Sequence, residues 1–595
     1  MRLEFGKRTA LGCLSMDVII ENGLVFDGQG NAPRQRHVGI QGGTIATLSE
    51  APIPRAPHTR VIDARGHWVT PGFIDLHTHY DAEVELAPSL SESVRHGVTT
   101  VVMGSCSLSL AVGTPEDLAD MFCRVEAIPY ATVRSLLEER KTWDTLGGYL
   151  EHLGQLPLGP NVASFLGHSA LRAHTLGLRR SLEPGVTPTK DELRRLESLV
   201  SEGLDLGYLG LSIMTLKWDK MGGDRDIRSR PLPSTYARWS EYRRLTRLLR
   251  ERGRIFQGVP NISTKVNVLL FLLESMGLWR KTLKTTVISM MDPRASRGIH
   301  RLIGVLSQVA NRLFGADFRW QALPEVFDLW ADGIDLVVFE EFGAGAAALH
   351  LQDAAKRADL LNDTAYRTRF RGQWTNKFLP RAFHRDFNES RILLCPDASV
   401  VGKSFAQVAK EQGRDAVDVF LDLVARHGDA LRWYTVMAND RLGELERICK
   451  HPDVLMGFSD AGAHLRNMAH YNFPLRLLRL VREAEKRGAP FMTVERAVHR
   501  LTGEIGAWLG LDAGVVAEGR RADLVVVNPE GLDEKLDEIA EAPMENFGGF
   551  VRLVRRNDAA VKSVLIAGRE AVSEGAVSPA LGRERGFGSV LRAQA

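Results

Sequence analysis

The chain has 595 residues, with 76 Lys and Arg against 73 Asp and Glu and a formal charge of +3. That length is beyond what one simple core accommodates, so a large catalytic domain with an accessory domain is expected. The near balance of charge argues against a nucleic-acid or membrane-surface partner and leaves a small molecule as the expected substrate. Five scattered cysteines, Cys13, Cys106, Cys123, Cys395 and Cys449, fit free thiols in a reducing compartment better than a disulfide framework. The opening stretch MRLEFGKRTALGCLS has no apolar h-region, and the uncharged residues 97–115 are broken by Gly, Ser and Thr, so neither a signal peptide nor a membrane span is expected. The expected location is cytoplasmic.

Residues 1–15 precede the first regular pattern and are read as an N-terminal extension. MDVIIENGLVFDGQGN and HVGIQGGTIATLSE then show β-branched runs separated by turn residues, with Gly42 and Gly43 supplying one reversal. EGRRADLVVVNP and VKSVLIAGREA near the other end have the same character. Residues 16–72 and 505–575 are therefore assigned to one small β-domain built from both chain ends, with residues 576–595 as a tail.

Between them, short apolar strands alternate with amphipathic helices, the pattern of an α/β fold of (β/α)₈ barrel type over residues 73–504. Eight candidate strands can be counted: FIDLHTH (73–79), TTVVMGSC (99–106), NVASFLGH (161–168), YLGLSIM (208–214), RIFQGVP (254–260), TTVISMM (285–291), WYTVMAN (433–439) and VLMGFSD (454–460). About 140 residues separate the sixth from the seventh. A structureless loop of that length is improbable, so residues 292–432 are read as an insertion, either a solvated helical decoration or a lid that shapes a pocket.

Chemistry in such barrels sits where strands end, and several of these strands end in ligand-type side chains: His77 and His79, Cys106, His168 and Asp460. On a strand, i and i+2 point to one side, so His77 and His79 can aim both imidazoles at one point. Imidazole, thiolate and carboxylate are zinc ligands, and an open catalytic zinc site acidifies water and polarises a carbonyl. A carboxylate such as Asp460 beside that water can take its proton and pass it to a departing nitrogen. Those steps describe amide hydrolysis.

PGFIDLHTH, HGVTTVVMGSC, NVASFLGHSALR, GYLGLSIM, HPDVLMGFSDAGAH and EGRRADLVVVNPEGL together resemble the amidohydrolase superfamily, in its D-aminoacylase (N-acyl-D-amino-acid deacylase) branch. The resemblance runs over residues 17–575. It implies a barrel joined to a β-sandwich made from both chain ends. It also implies His77 and His79 as metal ligands from strand one, Cys106 as the strand-two metal ligand, and Asp460 as both metal ligand and general base. The sequence departs from the family where strands five and six end. The family places histidines there, whereas this chain reads FQGVP and ISMMD, with Gln257, Gly258 and Met290.

Three readings of the metal site stay open. One zinc ion, or two, is held by His77, His79 and Asp460 with Cys106 completing the set; His168 or His464 stands in for the missing histidines; or catalysis has been lost. Met290, a thioether and a poor zinc ligand, is expected in the pocket wall. Arg466 and Asn467 follow Asp460 closely and are candidates for pairing with a substrate carboxylate. Glu340 and Glu341 either enter the site from the insertion or, the preferred reading, cap or solvate the helix after them. Lys217, just past strand four, is read as an exposed loop lysine rather than a carboxylated metal bridge. The leading expectation is a zinc-dependent amidohydrolase acting on an N-acyl amino acid. Its rivals are a cyclic-amide hydrolase of the hydantoinase or dihydropyrimidinase kind and a metal-free scaffold. Self-association into a homo-oligomer is common among large barrel enzymes.

Overall fold

The computed structural model describes residues 15–261, 266–378 and 381–594. All of the expected N-terminal extension except Ser15 lies outside these residues. The chain is a mixed α/β protein. Eight parallel strands follow one another in chain order: Phe73–Asp75, Val98–Met103, Asn161–Ser164 (continued by Leu166–Gly167), Gly210–Met214, Ile255–Val259, Lys284–Ile288, Asp317–Ala322 and Val454–Met456. The last returns to the first, because Leu76 N donates to Gly457 O (3.2 Å), Asp460 N to His77 O (3.2 Å) and His79 N to Ala461 O (2.7 Å). The row is thus a ring. Every residue of its second, fourth and fifth strands is buried, which explains why these segments read as continuous apolar runs rather than alternating ones.

Helices pack outside the ring. Lys190–Asp205 shows why they form: Thr189 and Glu192 make a capping box at its start, and Leu196, Val200, Gly203 and Leu204 recur at i, i+4, i+7 and i+8 on its buried face.

The seventh ring strand is Asp317–Ala322, in DFRWQA, and not WYTVMAN. The latter, Arg432–Ala438, is the central strand of a separate antiparallel sheet between Phe327–Asp332 and Ser390–Leu394. The insertion therefore starts after residue 322 rather than at 292, and the helix Ile299–Leu313 belongs to the ring. Two of six residues in DFRWQA are charged, because side chains in its first half face partners: Asp317 takes the indole N–H of Trp508 (3.1 Å) and Arg319 donates to Pro452 O (2.7 Å). The insertion has a core of its own, in which Phe339, Phe370, Trp374, Phe387, Phe420 and Trp433 meet at ring distances of 4.5–6.5 Å.

Strands from both chain ends form one nine-stranded sheet, joined where Leu524–Val527 runs antiparallel to Trp68–Pro71. Residues 576–594 are not a loose tail. Ala576–Val577 adds a strand to that sheet, and the following chain passes beneath the ring, where Val162 N donates to Ser589 O (3.0 Å) and Leu591 N to Val162 O (2.8 Å). Among the described residues no helix is long and apolar enough to cross a membrane.

Candidate metal centre

The first strand ends at Asp75, but the chain stays extended to His79. Thr78 bridges Ala461 in parallel, and its hydroxyl donates to Val102 O (2.7 Å). Alternation therefore continues, sending Leu76 into the apolar packing behind the ring and His77 and His79 into its mouth. Their ring centroids are 5.5 Å apart. One ligand atom from each of His77, His79 and Cys106 falls within 4.8 Å of the others, and all three residues are buried. Cys106 Sγ is 3.3 Å from His77 Nε2. Asp460 closes the group from the eighth strand, its Oδ1 3.3 Å from His79 Nε2 and 3.6 Å from His77 Nε2.

The backbone is bent to make this meeting. Cys106 (φ 53°), Ser107 (φ 71°), Asp460 (φ 58°) and His464 (φ 49°) are all non-glycine residues in the left-handed region, which is uncommon and collects at functional sites. Hydrogen bonds hold the bend: Ser107 N donates to Ser212 Oγ (3.0 Å), and Cys106 N to Gln257 Oε1 (3.3 Å).

Two glutamines set His77. Gln321 Oε1 is 2.7 Å from its Nδ1 and Gln257 Nε2 is 3.1 Å from the same atom. Only one can match a given tautomer, and the shorter contact fits Nδ1–H donating to Gln321, which leaves the Nε2 lone pair facing Cys106 and Asp460. Burial pushes the His77 imidazole down to about 4, so it is neutral, as a metal ligand must be. Burial also drives the Cys106 thiol far above its ordinary value, with Asp460 adding to the effect. Burial pushes Asp460 up too, but the His79 hydrogen bond and the histidine charges outweigh it and hold the carboxyl well below its usual range. Beneath the group, burial lifts Asp75 to about 7 while it accepts from the Ser459 hydroxyl.

Gln257 and Gln321 were not singled out by sequence as ligand-positioning groups. Gln257 stands where the family offers histidine, and its spacing gives no hint that it spans Cys106 and His77. Gln321 lies on the ring strand hidden inside the expected insertion. At the end of the sixth strand the residue near the site is Ile288, packed against Cys106, Met214 and Val259 as an apolar wall.

Several expected site residues are elsewhere. His168 opens the helix His168–Leu176 and has both nitrogens occupied, by Ser234 Oγ and Glu241 Oε1 at 3.1 Å each. It is a satisfied core residue. Met290 is buried beneath the helix Ile299–Leu313, its methyl 3.4 Å from where a side chain on Gly304 would begin. Arg466 turns away to Asp332 (2.9 Å) and Glu541 (3.1 Å), tying the insertion to the strand Ala540–Pro543. Asn467 borders the cavity described below, but its amide donates to Trp330 O (2.8 Å) and Asp335 O (3.0 Å). Glu341 pairs with Arg385 (2.6 Å) and caps no helix. Lys217 is exposed.

A cavity of about 370 Å³ opens between the mouth and the insertion. Trp218, Asp219 and His464 line it, and Asp219 and His464 are near enough to act electrostatically on Asp460. Glu340 reaches in from the insertion and gathers Arg124 (2.6 Å), His350 (2.7 Å) and Lys220 (3.6 Å). The loops after the second and fourth ring strands are thereby clamped to the insertion.

The sequence is similar to known proteins along most of its length. The amidohydrolase family model matches residues 60–173. A protein of Mycobacterium tuberculosis, called uncharacterized, is 48% identical over 559 residues, covering 93% of this chain and 91% of that one. An N-acyl-D-aspartate deacylase of Alcaligenes xylosoxydans xylosoxydans is 25% identical over 527 residues, 87% of each chain. The crystal structure of an N-acyl-D-glutamate deacylase from Bordetella bronchiseptica, complexed with zinc and a phosphonate inhibitor, shares the fold at a TM-score of 0.62 and 22% identity, covering 97% of this chain and 100% of that one. The chain belongs to the amidohydrolase superfamily, in its D-aminoacylase branch.

Proposed function

We propose that this protein is a zinc-dependent deacylase that hydrolyses the amide of an N-acyl amino acid, in the D series, on a (β/α)₈ barrel whose accessory β-domain comes from both chain ends. The observation that carries this reading is the convergence of His77, His79 and Cys106 within 4.8 Å, with Asp460 3.3 Å from His79. Two imidazoles, one thiol and one carboxylate suit zinc, and buried ligand atoms gathered this closely fit an ion. His77 and His79 would hold it, Cys106 would join as thiolate, and Asp460 would complete the set. When bound, such an ion supplies Lewis acidity, polarising the scissile carbonyl and making water easier to deprotonate.

The chain's own groups do the rest. Asp460, an anion with Oδ1 turned into the mouth, takes the proton of the attacking water and returns it to the departing nitrogen. Gln321, accepting from Nδ1–H, keeps His77 in the tautomer whose Nε2 lone pair faces the site. The wall of Met214, Val259 and Ile288 beside Cys106 gives the acyl chain an apolar surface, and the cavity toward Trp218 and His464 gives room for the amino-acid half. With only glutamine and isoleucine at the ends of strands five and six, the donor set supports one ion.

The test pairs elemental analysis with an activity screen. The purified protein is expected to hold about one zinc per chain and to release amine from N-acyl-D-amino acids faster than from their L counterparts. A chain without metal that keeps full turnover after chelation, or that hydrolyses only cyclic amides, overturns the reading.

A further inference from the structure

The helix Ile299–Leu313 exposes Leu302, Val305, Val309 and Leu313, spaced i, i+3, i+7 and i+11, so they form one stripe along its outer side. Its neighbour Val266–Ser275 exposes Leu269 and Leu273. The far ends of the two helices are joined, because Gly277 N donates to Phe314 O (3.1 Å) and Thr282 Oγ1 to Gly315 O (2.6 Å). At that junction Trp279 is 98% exposed and Leu313 70% exposed, with Leu278 and Phe314 beside them. These nine large apolar side chains, 37–98% exposed, amount to several hundred Å² of apolar surface, at or above the upper end of the largest patch on a typical monomer and of the order of the ~800 Å² that each partner gives to a standard interface.

We infer that this flank is the contact face between two copies of the chain. A membrane surface fits less well. Attachment to anionic lipid calls for a cluster of free Lys and Arg, yet here Arg280, Arg294, Arg297 and Arg301 are each paired with a carboxylate of the same chain. Of the basic side chains in residues 266–316, only those of Lys281 and Arg312 show no hydrogen-bond or ion-pair partner among the described residues. A strongly apolar face with a fully presented tryptophan and an arginine at its edge has the composition of a permanent interface. A face of this size must stay covered to keep the protein from aggregating, and a second copy is the partner always present in equal amount. Two such helix pairs related by a two-fold axis pack as a four-helix layer. Trp279 and Phe314 precede their ring strands while the metal-centre residues follow theirs, so the face lies away from the mouth.

The test is the mass of the full chain in solution. Sedimentation equilibrium at micromolar concentration is expected to give twice the 65.9 kDa chain mass. The double variant Trp279→Glu with Leu313→Glu is expected to give a single chain mass with unchanged circular dichroism and zinc content. Because a variant can fail to fold, hydroxyl-radical footprinting of the wild type gives a second reading: oxidation of Trp279 is expected to rise several-fold on dilution below the dissociation constant. A wild type that stays monomeric overturns the inference, as does a dimer that survives the double variant or a Trp279 equally oxidised at all concentrations. A monomer that instead sediments with phosphatidylglycerol vesicles assigns the face to a bilayer and equally overturns it.

Discussion

The mouth of the ring and the insertion beside it are built by different means. At the mouth, small polar groups from strands one, two, five, seven and eight meet through single hydrogen bonds, several from left-handed backbone. In the insertion, Phe420 is fully buried among Phe339, Phe387, Phe405 and Trp433, with ring centroids 4.9–5.9 Å away. The aromatic core tolerates small errors in angle because dispersion and burial are weakly directional. The mouth does not, since a hydrogen bond weakens steeply once its angle or distance departs from the optimum. The contrast shows stability and chemistry held in separate places, and substitutions should separate them further.

The largest effect belongs to Asp460→Asn, which keeps the volume but removes the proton acceptor. Turnover should fall about 10³-fold, near the middle of what a positioned acid or base contributes, with the melting temperature little changed. Steady-state rates beside calorimetry check it, and near-normal turnover removes Asp460 from the role. Phe420→Ala in the insertion should do the reverse, costing about 3–5 kcal/mol of stability. Denaturant titration reads the loss, while metal content of the folded fraction should hold. Gln321→Leu deletes the acceptor for His77 Nδ1–H and should weaken zinc about 10–100-fold, measured by competition with a chelator. An unchanged zinc affinity removes Gln321 from that positioning role.

A smaller effect is set by pH. Glu444 bonds to Arg301, which leads the causes, and to His300 (2.7 Å), and these lower its carboxyl to about 2 from 4.5. Because the folded value is the lower one, this stabilisation is complete above about 4.5 and is lost as pH falls from there toward 2. Thermal melts from pH 6 to 3 should show a drop that Glu444→Gln lessens. The smallest effect is that of Lys217→Ala, which should leave both activity and stability within about 0.5 kcal/mol. Loss of metal in that variant would bring back a bridging role for the exposed lysine.

The reading of the sequence reached whatever was carried by short-range pattern. HxH on an extended segment, a cysteine ending an apolar strand and the aspartate of SDAGAH are local signals, and the structure brings those four side chains together. Asp317–Ala322 escaped because Asp317 and Arg319 in its first half satisfy distant partners, which erases the apolar run. Gln321 was lost with it. WYTVMAN misled for the opposite reason: it is buried and β-branched, but in an antiparallel sheet of the insertion. Arg466 is near Asp460 in sequence, yet the left-handed turn at His464 carries it round to Asp332. His168 has the right type at a strand end, but a buried glutamate and serine already occupy it.

Residues 588–594, running below the third ring strand, have a consequence for how the molecule is made. Asn161 at the start of that strand accepts from Ser589 N (3.1 Å) and Arg521 (2.7 Å) and donates to Asp523 (2.8 Å). The floor of the ring is thus sealed by chain that leaves the ribosome more than 400 residues after the strand it covers. Early strands must wait for late ones, and a nascent chain halted short of residue 588 carries an unsealed ring, an expected target for chaperones and proteases.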